Sequence, residues 1–178
     1  EGADLEGIRK SGAKHRQPRP INELEAAMEV RANCSLRELG EPEMSTDEAM
    51  GLRLYTGPLF VKYNGVLRGL KSSVPFLQNS LIQLCCPKDV ADAYMGGAKT
   101  WEEPKGSLTF NQAKEQLNTY TTTLHVINSG IVKTSKLTYA GKVYRGVSGM
   151  ALPEAFWQAN KHGVRGGIEG AFMSTTTD

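Results

Sequence analysis

Lys142-Val143-Tyr144-Arg145-Gly146-Val147 is the stretch on which the fold reading turns. Its β-branched and aromatic residues alternate with polar ones, which is the pattern of a strand. About thirty residues further on, Ala171-Phe172-Met173-Ser174-Thr175-Thr176 has the same character and predicts a second strand. Upstream of Gly141 the apolar periodicity is helical. Helices first and strands last, within one domain, imply an α+β fold: a helical N-terminal layer packed on a mixed or antiparallel sheet. Two strands do not make a stable sheet by themselves, so the sheet is expected to be incomplete, with more strands after Asp178.

From Thr109 to about Lys133 the residues Leu117, Tyr120, Leu124, Ile127 and Ile131 recur at steps of three and four, predicting one long helix. Thr121-Thr122-Thr123 lowers its propensity without breaking the pattern. Ser45-Thr46-Asp47-Glu48 has capping-box spacing and starts a helix that runs to Tyr55-Thr56. Gly57 is expected to end it in the left-handed conformation, and Pro58 suits the first turn of the next helix. The inner face of that helix is read as Phe60, Val61, Asn64 and Leu67. Ile21, Leu24, Ala27 and Met28 predict a short helix after Pro20, and Gly40 and Pro42 then punctuate the chain. The apolar stretch Phe76 to Leu84 has no single period. Gly96-Gly97 to Gly106 reads as a loop, Pro153-Glu154 as the start of a short helix with Phe156 and Trp157, and His162 to Gly170 as a Gly-rich loop. Residues 1–44 are thus a flexible lead-in with a short helix, and residues 45–178 are the domain.

The composition, 39% hydrophobic and 22% charged over 178 residues, is that of one globular domain. A net charge of +2 does not argue for a nucleic-acid partner. The basic excess is local, at Arg9, Lys10, Lys14, Arg16 and Arg19, and reads as a solvated tail before it reads as an arm for phosphates. Cys34 and the pair Cys85-Cys86 form no CxxC and have no neighbouring histidine, which argues against zinc and against a disulfide framework. Buried free thiols are expected, and they favour a reducing compartment such as the cytoplasm without fixing it. No apolar run is long enough to span a membrane, no leader pattern is visible, and no membrane partner is expected. His15, His125 and His162 are scattered, so no metal site is read. Gly163, Gly166, Gly167 and Gly170 lack the lysine and following helix of a phosphate loop.

Val143-Tyr144-Arg145-Gly146 resembles the arginine-bearing strand of the arginine/serine/glutamate class of mono-ADP-ribosyltransferases. Phe172-Met173-Ser174-Thr175-Thr176 resembles that family's second strand, aromatic-x-Ser-Thr-Ser, with Thr176 for the last serine. Tyr55-Thr56-Gly57, Tyr63-Asn64 and Leu67-Arg68 resemble a helical segment of the same family. The resemblance covers about Ser45 to Asp178. It implies the transferase type of sheet and an NAD-dependent transfer of ADP-ribose to an exposed protein arginine, with release of nicotinamide and no metal. It also implies a site of Arg145 and Ser174, with Tyr144, Gly146, Thr175 and Thr176 against NAD. The histidine/tyrosine/glutamate branch is disfavoured, because Arg145 stands where that branch has histidine.

Arg145 suits such a site because its planar guanidinium can grip a diphosphate with two parallel hydrogen bonds. Its alternative is an exposed arginine paired with a carboxylate. Ser174, donor and acceptor at once, suits a positioning role; its alternative is ordinary strand-end polar sequence. Trp157 either faces the nicotinamide or packs at a helix–sheet junction. The family's Glu-x-Glu is expected after Asp178, so residues 1–178 alone are expected to lack transferase and NAD glycohydrolase activity. Glu169 precedes the serine motif and reads as a loop carboxylate. The competing function is a non-catalytic transferase-like module that binds a nucleotide or a protein. The transferase reading requires Arg145 and Ser174 on neighbouring strands of one sheet and facing the same cleft, with Tyr144 and Met173 packed on the opposite face.

Overall fold

A computed structural model describes residues 20–146 and 151–177, and the basic tail and Val147 lie outside them. Helix α1 (Ile21–Met28) continues through a π-helical turn (Glu29–Asn33) into α2 (Cys34–Glu38). Gly40 is left-handed, with φ of 69°. At α3 (Thr46–Tyr55) both halves of the capping box form: the Glu48 amide donates to Ser45 Oγ at 3.3 Å and the Ser45 amide to Glu48 Oε2 at 2.8 Å. Helices α4 (Phe60–Gly69), α5 (Pro75–Cys85) and α6 (Lys88–Met95) follow. After the loop at residues 96–106 come α7 (Phe110–Lys114), α8 (Thr121–Thr134) and the short α9 (Glu154–Trp157).

The apolar interior is shared between these helices. Ala32, Leu36, Met44 and Ala49 join α2 to α3, and Ile82, Val90, Tyr94, Met95 and Ala113 join α5, α6 and α7. Val66, Leu81 and Cys85 form a third group, with Leu117, Tyr120 and Leu124 packed against it. Helices α3 and α8 approach closely at glycines. A Cβ on Gly51 would lie 2.9 Å from Val126 Cγ1, and one on Gly130 would lie 3.0 Å from Leu52 Cδ1. Ile127, fully buried, fills the seam.

The expected α+β fold is not what forms. The described residues are helical and contain no strand or sheet. The two predicted strands meet at a single antiparallel bridge, Tyr144 with Thr176. An isolated two-stranded pairing is marginal, and no third strand lies beside these segments among the described residues. The long helix from Thr109 is also broken. Asn118 Oδ1 accepts the Tyr120 amide, Tyr120 is left-handed at φ of 48°, and α8 starts only at Thr121. Its stripe is buried at Ile127, half-buried at Leu117, Tyr120 and Leu124, and exposed at Ile131.

Smaller expectations fail as well. Gly57 is not left-handed; α3 closes in a tight turn in which the Gly57 amide donates to the Leu54 carbonyl at 3.1 Å, with Thr56 Oγ1 donating to the Arg53 carbonyl at 2.8 Å. The buried face of α4 is Tyr63, Asn64, Val66 and Gly69, whereas Phe60, Val61 and Leu67 are exposed. The seam with α5 runs along glycine, since a Cβ at Gly69 would lie 2.8 Å from Leu81 Cβ. A glycine carries no hydrophobic signal, so apolar spacing misplaces the face. Cys85 is buried and its thiol is pushed up to about 11 by that burial, while Cys34 is exposed, against expectation.

Lys133 donates to Glu48 Oε2 at 2.8 Å and Ser129 donates to Oε1 at 2.5 Å. Burial pushes the Glu48 carboxyl up, but these bonds and the Ser45 amide outweigh it and hold the group down at about 2. A depressed carboxyl stabilises the fold above its unfolded value and loses that contribution as pH falls through the folded one. Thermal unfolding followed from pH 6 to about 2 should therefore show a steeper loss in the wild type than in Glu48→Gln. Parallel curves would remove the network from the account. In the same seam, Ile127→Ala should lower the unfolding free energy by about 2–5 kcal/mol in chemical denaturation.

Candidate functional site

The Tyr144–Thr176 bridge carries two backbone hydrogen bonds, 2.7 Å from the Tyr144 amide and 2.9 Å from the Thr176 amide. It brings the arginine stretch alongside the serine stretch. Between them and the α3–α4 corner lies an open cleft of about 500 Å³, within the usual range for ligand sites. Tyr144, Arg145 and Gly146 line one side, and Ser174, Thr175 and Thr176 line another. Tyr55 and Thr56 at the end of α3, with Phe60 and Asn64 of α4, form the third.

Arg145 and Ser174 thus line one cleft, but the neighbouring strands of one sheet that the transferase reading also requires do not form among the described residues, where a single bridge joins the two segments. The alternation around them does not hold throughout. Tyr144 lines the same cleft as Arg145, because one bridge does not extend a pleat along the chain. Met173 is outside the lining and exposed. Gly146 has open space where a Cβ would stand, which leaves room for a ligand close to the backbone.

The serine stretch is held by α3 and α4. Asn64 grips the backbone of Phe172 from both sides: its Oδ1 accepts the Phe172 amide at 3.2 Å and its Nδ2 donates to the Phe172 carbonyl at 3.3 Å. Tyr55 donates its hydroxyl to that carbonyl at 2.9 Å and accepts from Ser174 Oγ at 3.3 Å. Its ring stands edge-on to Phe172, with centroids 5.4 Å apart. One turn beyond Asn64, Arg68 makes a two-pronged ion pair with Glu169, both bonds 2.9 Å. Tyr55, Asn64 and Arg68 stand in the helical stretch that carried the upstream resemblance, whose physical task the sequence left unassigned.

Glu169 is therefore a structural carboxylate. Its hydrogen bonds from Arg68 lower its pKa against the effect of burial, with further help from the Ala171 amide and the charge of Arg145. Among the described residues, none that line the cleft is acidic. The Glu-x-Glu spacings present in the chain lie elsewhere: Glu25 accepts from Thr46, and Glu43 pairs with Arg37. Trp157 is exposed, stacked edge-on with Phe156 and outside the lining. No cluster among the described residues could hold a metal. No helix among them is long and apolar enough to cross a membrane. Comparisons with protein-family models, curated proteins and solved structures find no match.

The Arg68–Glu169 pair is about a third exposed, so it contributes little to global stability and acts locally. Glu169→Ala should raise the hydrogen-exchange rates of the Ala171 and Phe172 amides while leaving the melting temperature nearly unchanged. Unaltered exchange would show that the pair does not hold this segment.

Proposed function

We propose that the cleft binds NAD, and that the chain contributes the NAD-holding part of a mono-ADP-ribosyltransferase acting on protein arginine with release of nicotinamide. The observation that supports this reading is the convergence of Arg145 and Ser174 on one cleft, backed by Tyr55 and Asn64. These residues come from the three separated stretches that carry the family resemblance. Chance similarity in short motifs does not require that they meet in space.

The roles follow from the chemistry of the ligand. Arg145, exposed at the cleft, offers a permanent charge and paired donors to a diphosphate. Tyr55 and Phe60 on the α3–α4 side and Tyr144 on the side of Arg145 give the cleft an aromatic character suited to the flat, cationic nicotinamide ring. Ser174, Thr175 and Thr176 offer hydroxyls to ribose. Transfer breaks the bond between nicotinamide and ribose and builds positive charge on the sugar, which a carboxylate stabilises. By the resemblance, that carboxylate belongs to a Glu-x-Glu following the serine motif.

A lining without acidic residues also favours a second reading, a module that binds the nucleotide and performs no chemistry. The two differ in hydrolysis of NAD by a protein that includes the sequence following the serine motif, where only the enzyme releases nicotinamide. Both require binding, so binding is the primary test. Calorimetry with residues 1–178 should give saturable NAD binding, and Arg145→Lys should weaken it by roughly tenfold or more, because lysine cannot reproduce a two-pronged phosphate contact. Equal affinity of the two proteins would refute a diphosphate role for Arg145.

A further inference from the structure

We infer that Tyr55 and Asn64 are positioning residues that fix Ser174 as a hydrogen-bond acceptor toward the ligand, an inference that rests on the NAD reading of the cleft. The hydrogen-bond arithmetic around one phenol carries it. A tyrosine hydroxyl has one proton and can accept from more than one donor. The proton of Tyr55 goes to the Phe172 carbonyl at 2.9 Å. Its oxygen accepts from Asn64 Nδ2 at 3.3 Å and from Ser174 Oγ at 3.3 Å.

Asn64 completes the set. With Oδ1 taking the Phe172 amide and Nδ2 shared between the Phe172 carbonyl and Tyr55, its orientation is fixed. Asn64 is 3% exposed, and Tyr55 is braced by edge-on contacts with Phe60 and Phe172. The anchor is thus built into the α3–α4 core, and it dictates where the serine proton points.

A serine has a single proton to donate. Spent on Tyr55, it leaves Ser174 with lone pairs facing the cleft and no donor. Ser174 therefore selects for a hydrogen-bond donor on the ligand. In NAD the donors are the ribose hydroxyls, the carboxamide amine and the adenine amine; the phosphate oxygens, acceptors only, are left to Arg145. The cleft is in this way divided between a donor end at Arg145 and an acceptor end at Ser174.

The test is a double-mutant cycle on NAD affinity, read by calorimetry, with Tyr55→Phe and Ser174→Ala. Tyr55→Phe keeps the ring and removes only the hydroxyl, and it should raise the dissociation constant roughly three- to tenfold. Ser174→Ala should do the same, and the double variant should be no weaker than either single one. Amide exchange at Phe172 gives a second readout without ligand. It should rise in Tyr55→Phe and rise further in Asn64→Ala, provided circular dichroism shows the latter folded. Additive losses in the cycle would overturn the positioning role while leaving NAD binding intact. Absence of NAD binding in the wild type, with Phe172 exchange still sensitive to Tyr55→Phe, would refute the NAD reading and withdraw the role of Ser174 with it.

Discussion

The side-chain amide of Asn64 imitates the edge of a strand, and the cleft depends on that imitation. Its oxygen and nitrogen meet the amide and carbonyl of Phe172 as a neighbouring peptide would in a ladder. The segment that follows Phe172 carries Ser174 and pairs with Tyr144, so the register of the whole cleft descends from this contact. Asn64 is able to act this way because α4 buries it beside Tyr63 and Val66, away from competing water. A buried amide with every hydrogen-bonding group used is favourable, whereas the same amide missing a partner would be costly.

The same device recurs where irregular chain must be held to helices. Asn33 exchanges two hydrogen bonds with the backbone of Met44, at 2.8 and 3.1 Å, and fixes the chain entering α3. Asn79 donates to the carbonyls of Thr100 and Glu102 and accepts from Tyr94, securing the loop between α6 and α7. Glu48 links the start of α3 to Ser129 and Lys133 on α8. Among the described residues no buried side-chain nitrogen or oxygen lacks a partner. Helix–helix contact supplies the apolar burial, and these few polar groups choose which loop lies where.

This division explains what was legible in the sequence. Local signals with a fixed grammar were readable: the capping box at Ser45, the glycine at Gly40, the short helices after Pro20 and Pro153. The candidate site residues were picked out as motifs, and the structure places all of them along one cleft. The inner face of α4 was readable only in part: Asn64 was placed on it, but Phe60, Val61 and Leu67 were chosen where Tyr63, Val66 and Gly69 are buried. The break at Tyr120 was hidden because the stripe keeps its helical spacing across a turn set by Asn118. The sheet was inferred from two strand-like segments whose residues favour extended chain, but local preference does not supply the further strands that a sheet requires. The long-range pairs Asn64–Phe172 and Arg68–Glu169 leave no trace in spacing at all.

The two walls of the cleft differ in how they are held, and the difference bears on how a ligand would be read. The wall made by α3 and α4 is continuous with buried Tyr63 and Val66, so Tyr55 and Asn64 are fixed by the core. The wall made by residues 142–146 and 171–177 is largely exposed, and its hydrogen bonds to the first wall run through Phe172, Ser174 and Glu169. Exposed segments held by a few polar contacts open at lower free energy than packed helices do. Arg145, Ser174 and the two threonines sit on this lighter wall, and their reference points sit on the heavier one. A ligand that bridges Arg145 and Ser174 would tie the lighter wall to itself across the cleft, adding to the order that Tyr55 and Asn64 impose from behind. Binding and local ordering are then coupled through the same hydroxyl, and its contribution must be measured in the pair rather than read from either residue alone.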